Sequence, residues 1–163
     1  MAEKDPAWDE TVRGKKMSDT TGMTIYKYPI ISKFMMMPVD MEIIRTEEEG
    51  DNIWFWAIVD TEGPKVPSRI RMKQMPVLEE FELALPVGAK IIHVGDIGGK
   101  FFMWYISEVR ANREAPNIEK EIRKFRAFKT GGTMPSGLNM KYLGLCKIYV
   151  QMELALYIFE DLT

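Results

Sequence analysis

The sequence predicts a mostly β fold of antiparallel sheets, built from two related strand-turn-strand units with at most one short helix. Three observations predict it. From Thr24 onward, short apolar or alternating runs succeed one another between turn residues, a rhythm that suits strands better than helices. One stretch of the chain recurs 48 positions later. The run Ile53-Trp-Phe-Trp-Ala-Ile-Val59 is apolar at every position. A strand of that kind needs cover on both faces, one from the core and one from a second layer or another subunit.

Residues 1–22 mix Lys4, Asp5, Asp9, Glu10, Arg13, Lys15, Lys16 and Asp19 with small polar residues and have no apolar period, so they read as an arm. Ala7, Trp8 and Val12 offer that arm one helical turn of anchorage against a neighbour. A first β unit is expected over residues 23–78, with strands at Thr24 to Tyr28, Met41 to Thr46, Ile53 to Asp60 and Ser68 to Lys73. The second, over residues 79–163, shares one core with the first and has strands at Phe81 to Leu85, Lys90 to Val94, Lys100 to Glu108, Ile122 to Lys129, Tyr142 to Gln151 and Leu154 to Glu160. Over Asn117 to Phe125 two readings stand side by side. Ile118, Ile122 and Phe125 have helical spacing behind Pro116 and an Asn117 cap, yet the same residues also extend the following strand backward.

The repeat aligns Pro38 to Asp60 with Pro86 to Glu108 without a gap. Identical pairs include Pro38/Pro86, Ile43/Ile91, Ile44/Ile92, Gly50/Gly98, Trp56/Trp104 and Ile58/Ile106. Each copy reads as a hairpin whose turn glycine, Gly50 or Gly98, supplies the positive φ that tight turns require. Two such hairpins pack economically about a pseudo-twofold, and the alternative is one continuous sheet closed on itself.

Composition excludes several function classes. With 22 basic against 24 acidic residues the net charge is -2, which provides no broad positive field for nucleic acid. Cys146 is the single cysteine and has no internal disulfide partner, and Met1 to Gly14 has charges where a signal peptide needs an apolar stretch, so a cytoplasmic location is expected. The longest apolar run, Ile53 to Val59, has seven residues, too few for a helix to cross a membrane.

Four strings carry a family resemblance: Ile25-Tyr-Lys-Tyr-Pro29, Phe81-Glu-Leu-Ala-Leu-Pro-Val-Gly-Ala-Lys-Ile-Ile-His-Val94, Gly98-Gly-Lys-Phe-Phe-Met-Trp-Tyr105 and Ala155-Leu-Tyr-Ile-Phe-Glu-Asp161. In these the chain resembles a family of short bacteriophage proteins catalogued as a domain of unknown function, with Ile31 to Glu80 as an added copy of the hairpin unit. The resemblance implies phage or prophage origin, hence the cytoplasm of an infected bacterium, and brings no catalytic residues. Family members often have a Gly-Thr-Gly-His-like turn where this chain has Lys129-Thr-Gly-Gly-Thr133, and a histidine near the carboxyl terminus where it has Tyr157. A function that needs those histidines is not expected here.

Chemistry is sparse. His93 is the only histidine and lies in the apolar run Ile91-Ile-His-Val94, so a general base with a nucleophile beside it is a minor reading against an edge or solvent position. Cys146 reads as a small buried hydrophobe. One His and one Cys do not make a closed zinc site, and no metal or cofactor is expected. Glu47-Glu48-Glu49 with Asp51 reads as a solvated hairpin tip before it reads as a catalytic carboxylate pair. The one small-molecule candidate is a nucleotide-like anion at Arg126, Lys129 and the turn Thr130-Gly131-Gly132-Thr133, where glycine amides and flanking cations suit phosphate. No P-loop spacing accompanies it, and a plain inter-strand turn is the competing reading. Met35, Met36 and Met37, with Trp54 and Trp56, are the interface candidates, soft and aromatic side chains that suit either a core or an adaptable binding surface.

Three functions follow as expectations. The first is a non-enzymatic phage accessory protein that binds a host protein or itself, with counter-defence as one role. The others are a sponge for an anionic signal nucleotide and a virion or assembly component. The excess of apolar strand faces points to a homo-oligomer, most simply a twofold dimer.

Overall fold

The computed structural model describes residues 22–109, 119–149 and 153–163. These form eleven strands: β1 (Met23–Pro29), β2 (Phe34–Pro38), β3 (Met41–Glu49), β4 (Asn52–Asp60), β5 (Lys65–Met75), β6 (Glu80–Pro86), β7 (Lys90–Ile97), β8 (Lys100–Glu108), β9 (Lys120–Lys129), β10 (Met140–Tyr149) and β11 (Glu153–Asp161). Among the described residues there is no helix, and the strands build three antiparallel sheets. The amino-terminal sheet has the order β1-β4-β3, the middle sheet β2-β5-β8-β7 and the carboxyl-terminal sheet β10-β11-β9-β6.

The expected arm, Gly22 aside, lies outside the described residues. Over Asn117 to Phe125 the helical reading is overturned from Lys120 onward, where β9 pairs residue by residue with β6. Ile122, which made the spacing look helical, is 64% exposed, whereas Phe125 and Ala127 alternate into the core with the period of a strand. The closed single sheet is likewise not formed, because β1 and β3 edge a sheet of their own. Sequence reading missed β2: its three methionines are weak strand formers, and it is held as the edge of a sheet by β5.

The repeat is visible in the hydrogen-bond register. In the first hairpin Ile43 faces Ala57 and Arg45 faces Trp56, with Ile44 bulged out. In the second, Ile91 faces Tyr105 and His93 faces Trp104, with Ile92 bulged out. Every partner is displaced by the same 48 residues, including the bulge. A third copy follows that the sequence comparison did not detect: Tyr142 faces Phe159, Gly144 faces Ile158 and Leu143 is bulged out. In each unit one further strand lies against the far side of the return strand. Lys27 faces Trp56, Met72 faces Trp104 and Ala127 faces Ile158, so β1, β5 and β9 are equivalent. The described residues therefore form three units, β1-β4-β3, β5-β8-β7 and β9-β11-β10.

Linking strands tie each unit to the next. β2 leaves the first unit and pairs with β5, Pro38 opposite Lys65. β6 leaves the second unit and pairs with β9 in the same register, Pro86 opposite Lys120. The core consists of two clusters on the two faces of the middle sheet. One packs Phe55, Ala57 and Val59 of β4 against Ile70, Ile92, Trp104 and Ile106. The other packs Phe101, Met103, Tyr105 and Val94 against Phe125, Ala127, Cys146 and Ile158. Being covered on both sides is why β8 is apolar without interruption from Phe101 to Ile106.

Candidate interaction surface

Side chains alternate along a strand, so each sheet has two faces, and the same face of each unit is used in the same way. In the middle unit, Ile70, Trp104 and Ile106 pack on the inner face of the first. In the third unit, the equivalents Phe125 and Ile158 pack on the middle sheet. In the first unit those positions are Ile25, Trp56 and Ile58, which alternate with the buried Phe55, Ala57 and Val59 and thus form the outer face of the amino-terminal sheet. Among the described residues no second sheet packs on them: Ile25 is 57% exposed, Trp56 and Ile58 are half-buried, and Ile44, the bulge residue, is exposed.

Two cations lie over the tryptophans of this face. Lys27 Nζ is 4.5 Å from the centre of the Trp54 ring and 5.2 Å from that of Trp56, and the Arg45 guanidinium is 4.7 Å from Trp56. Lys27 also pairs with Glu49 at 3.0 Å, and Arg45 pairs with Glu47. Indole faces framed by cations whose charge is partly met by carboxylates present an amphipathic surface of the kind enriched at protein contacts. Two of the five expected interface residues, Trp54 and Trp56, are on it. The methionines separate: Met37 is buried in the first core cluster, Met36 is 60% exposed and Met35 is half-buried, because successive residues of β2 point to opposite faces.

The opposite end of the molecule is aromatic too. On the outer face of the carboxyl-terminal sheet, Tyr142 contacts Phe159 and Tyr157, with ring centres 5.2 and 6.4 Å apart, and Phe128 contacts Phe159 at 5.7 Å. Sequence reading did not single these residues out. Their signal was the alternation Tyr157-x-Phe159, whose meaning depends on recognising the third unit.

The residues of the basic turn are placed differently from one another. Arg126 is held between Asp161, at 3.0 Å, and Glu80, so its charge is met within the protein. Hydrogen bonds from the Thr163 hydroxyl and amide, then from Arg126, hold the Asp161 carboxyl at a pKa of about 2. Lys129 is exposed, the Gly132 amide donates to the Lys129 carbonyl at 2.9 Å, and Thr130 Oγ1 lies 3.4 Å from the Tyr157 hydroxyl. Gly131 has a φ of 79°, as a turn requires, and Gly132, Thr133 and the residues to Gly137 are exposed and outside any ladder.

A cleft of about 420 Å³ opens where β3, β7 and β10 approach one another, lined among others by Thr46, Glu48, His93, Asp96 and Lys147. His93 is partly buried against Trp104, its Nδ1 3.0 Å from Thr46 Oγ1, and burial lowers its pKa despite the opposing effect of Glu48. Asp96 accepts a bond from the Lys147 amide at 2.7 Å. Both contacts link successive units. Cys146 is buried, and that burial, with a smaller effect from Asp96, pushes its thiol up to about 12. Among the described residues no cluster of His, Cys, Asp and Glu could hold a metal ion.

No curated protein and no solved structure matches the chain. One family model does, over residues 68–163, more than half of the chain. The match begins within β5 and covers the second and third units, leaving the first unit and the Ile25 to Pro29 string outside it. The chain thus belongs to the family described as a domain of unknown function, DUF7352, and has a further β unit in front of the matched region.

Proposed function

We propose that this is a non-enzymatic binding protein that works by protein–protein association through the outer face of its amino-terminal sheet. The observation that carries the reading is the surface formed by exposed Ile25 and Ile44 with half-buried Trp54 and Trp56, at positions that pack between sheets in the other two units. The nucleotide-sponge alternative loses support from the pairing of Arg126 with two carboxylates. A role in assembly gains it, since the outer faces of both terminal sheets bear aromatic side chains, Trp54 and Trp56 on one and Tyr142 and Phe159 on the other. Phage origin, residence in an infected bacterium and counter-defence rest on the family resemblance alone.

A benzophenone amino acid placed at position 25 tests the proposal. Irradiation of bacteria containing the protein is expected to crosslink position 25 to a protein chain, and the same group at Val77, in an exposed turn, is not. Only uncrosslinked monomer from position 25 would refute the reading.

A further inference from the structure

Each unit hands two things to the next. Its inner face receives the outer face of the following unit, and its linking segment adds a strand to that unit's first strand. In this way β2 runs along β5 while Phe55, Ala57 and Val59 cover Trp104 and Ile106. Likewise β6 runs along β9 while Met103 and Tyr105 cover Ile158 and Phe125. The third unit has both of these parts and, among the described residues, no recipient. Its free face bears Tyr142, Leu145, Tyr157 and Phe159.

The third linking segment runs from Thr130 to Gly137, and the turn that follows it aligns with the other two without a gap. Pro38-Val-Asp-Met-Glu42, Pro86-Val-Gly-Ala-Lys90 and Gly137-Leu-Asn-Met-Lys141 lead into β3, β7 and β10 at matching points before their bulges. Thr133 and Met134 thereby take the places of Phe34 and Met35 in β2, yet among the described residues they belong to no ladder.

The first unit shows the complementary vacancy. Among the described residues the other sheets have four strands and its sheet has three, without a linking strand beside β1. Among the described residues the outer edge of β1 is unpaired, and no sheet packs on the outer face beside it. Stacks of repeats normally end in polar caps, whereas the described residues of this one end in Trp and Ile at one side and Tyr and Phe at the other.

From this juxtaposition, and resting on the binding surface proposed above, we infer that the partner is a second copy of the chain, docked head to tail. The outer face of its first unit covers Tyr142, Tyr157 and Phe159, and its β1 accepts residues 132–134 as a fourth strand. The register follows from the internal joints. Phe34 faces Arg69 and Met35 faces Ser68, and the β1 equivalents of Arg69 and Ser68 are Thr24 and Met23. Thr133 of one copy therefore faces Thr24 of the next, with Met134 facing Met23. Pro135 is compatible, because it corresponds to Met36, opposite Pro67, at a site where no ladder amide is needed. Such a contact joins two different surfaces, so it propagates into a ring or a filament.

The full-length chain tests this by complementation. Ile25→Glu blocks the outer face of the first unit and Tyr142→Glu that of the third, both at exposed positions. Wild type is expected to gain mass with concentration in sedimentation velocity, each variant alone to remain a monomer, and an equimolar mixture to form a species of twice the monomer mass. Should Tyr142→Glu fail to fold by circular dichroism, Leu145→Glu takes its place. Separately, Thr24→Cys chains mixed with Thr133→Cys chains are expected to give a mixed disulfide, since facing Cα atoms at such a pair are about 4.5 Å apart. A monomeric wild type at several hundred micromolar overturns the inference. So does association that Tyr142→Glu leaves untouched, or variants that do not complement. A crosslink from position 25 to a different protein, with the wild type monomeric, would spare the binding surface and defeat the head-to-tail partner.

Discussion

Trp56 and Trp104 occupy the same place in two hairpins, each facing the first residue after a bulge, Arg45 and His93 respectively. Their surroundings differ because of what lies in front of them. Trp104 is buried between the first and middle sheets, whereas Trp56 is half-buried on an outer face under Arg45 and Lys27. Trp104→Ala should cost about 3 to 5 kcal/mol by urea unfolding, as removal of a large buried aromatic does. Trp56→Ala should cost well under half as much under monomeric conditions. Equal losses would mean that the outer face is covered within a single chain.

Glu160 is buried and takes two bonds from Arg123, Nε at 2.6 Å and the far amino group at 2.7 Å, while Arg123 also donates to the Ala89 carbonyl at 2.5 Å. Removing one partner strands a buried charge. Glu160→Ala should therefore destabilise by about 3 to 5 kcal/mol, and replacing both residues with apolar ones of similar volume should recover much of the loss. The comparison is a double-mutant cycle in urea.

His93 makes stability depend on pH. Its folded pKa lies below the unfolded value of about 6.5, so between the two the unfolded chain binds more protons. The contribution is fully present above the unfolded pKa and declines as pH falls toward the folded one. Thermal midpoints should rise from pH 5 to pH 7, and His93→Gln should flatten that rise. A slope unchanged by the substitution would assign it to other groups.

Gly144 has a φ of 149°, and a Cβ there would lie 2.7 Å from Val94 Cγ2 on the neighbouring unit. Gly144→Ala should cost about 1 to 3 kcal/mol through overpacking. Adding Val94→Ala removes the clash but opens a cavity, so the pair should be clearly non-additive. Additive losses would show that backbone strain at Gly144 is the whole effect.

The alternation of apolar runs determined the β class and ten of the eleven strands, and the spacing of Pro38, Ile43, Gly50 and Trp56 against their later counterparts determined the first two hairpins. These features are local, so short-range periodicity is enough to reveal them. Tertiary structure decided what no window of sequence contains. The third unit became legible only through its register, because Gly144 and Ile158 stand where the earlier units have Arg45 or His93 and a tryptophan. It also decided that Ile122 faces solvent while Phe125 is buried, and that Arg126 is held by Glu80 and Asp161. Which face of a strand is covered depends on the sheet that packs against it. That sheet comes from residues far along the chain, which is why hairpins of the same register have one tryptophan inside and one on an outer face.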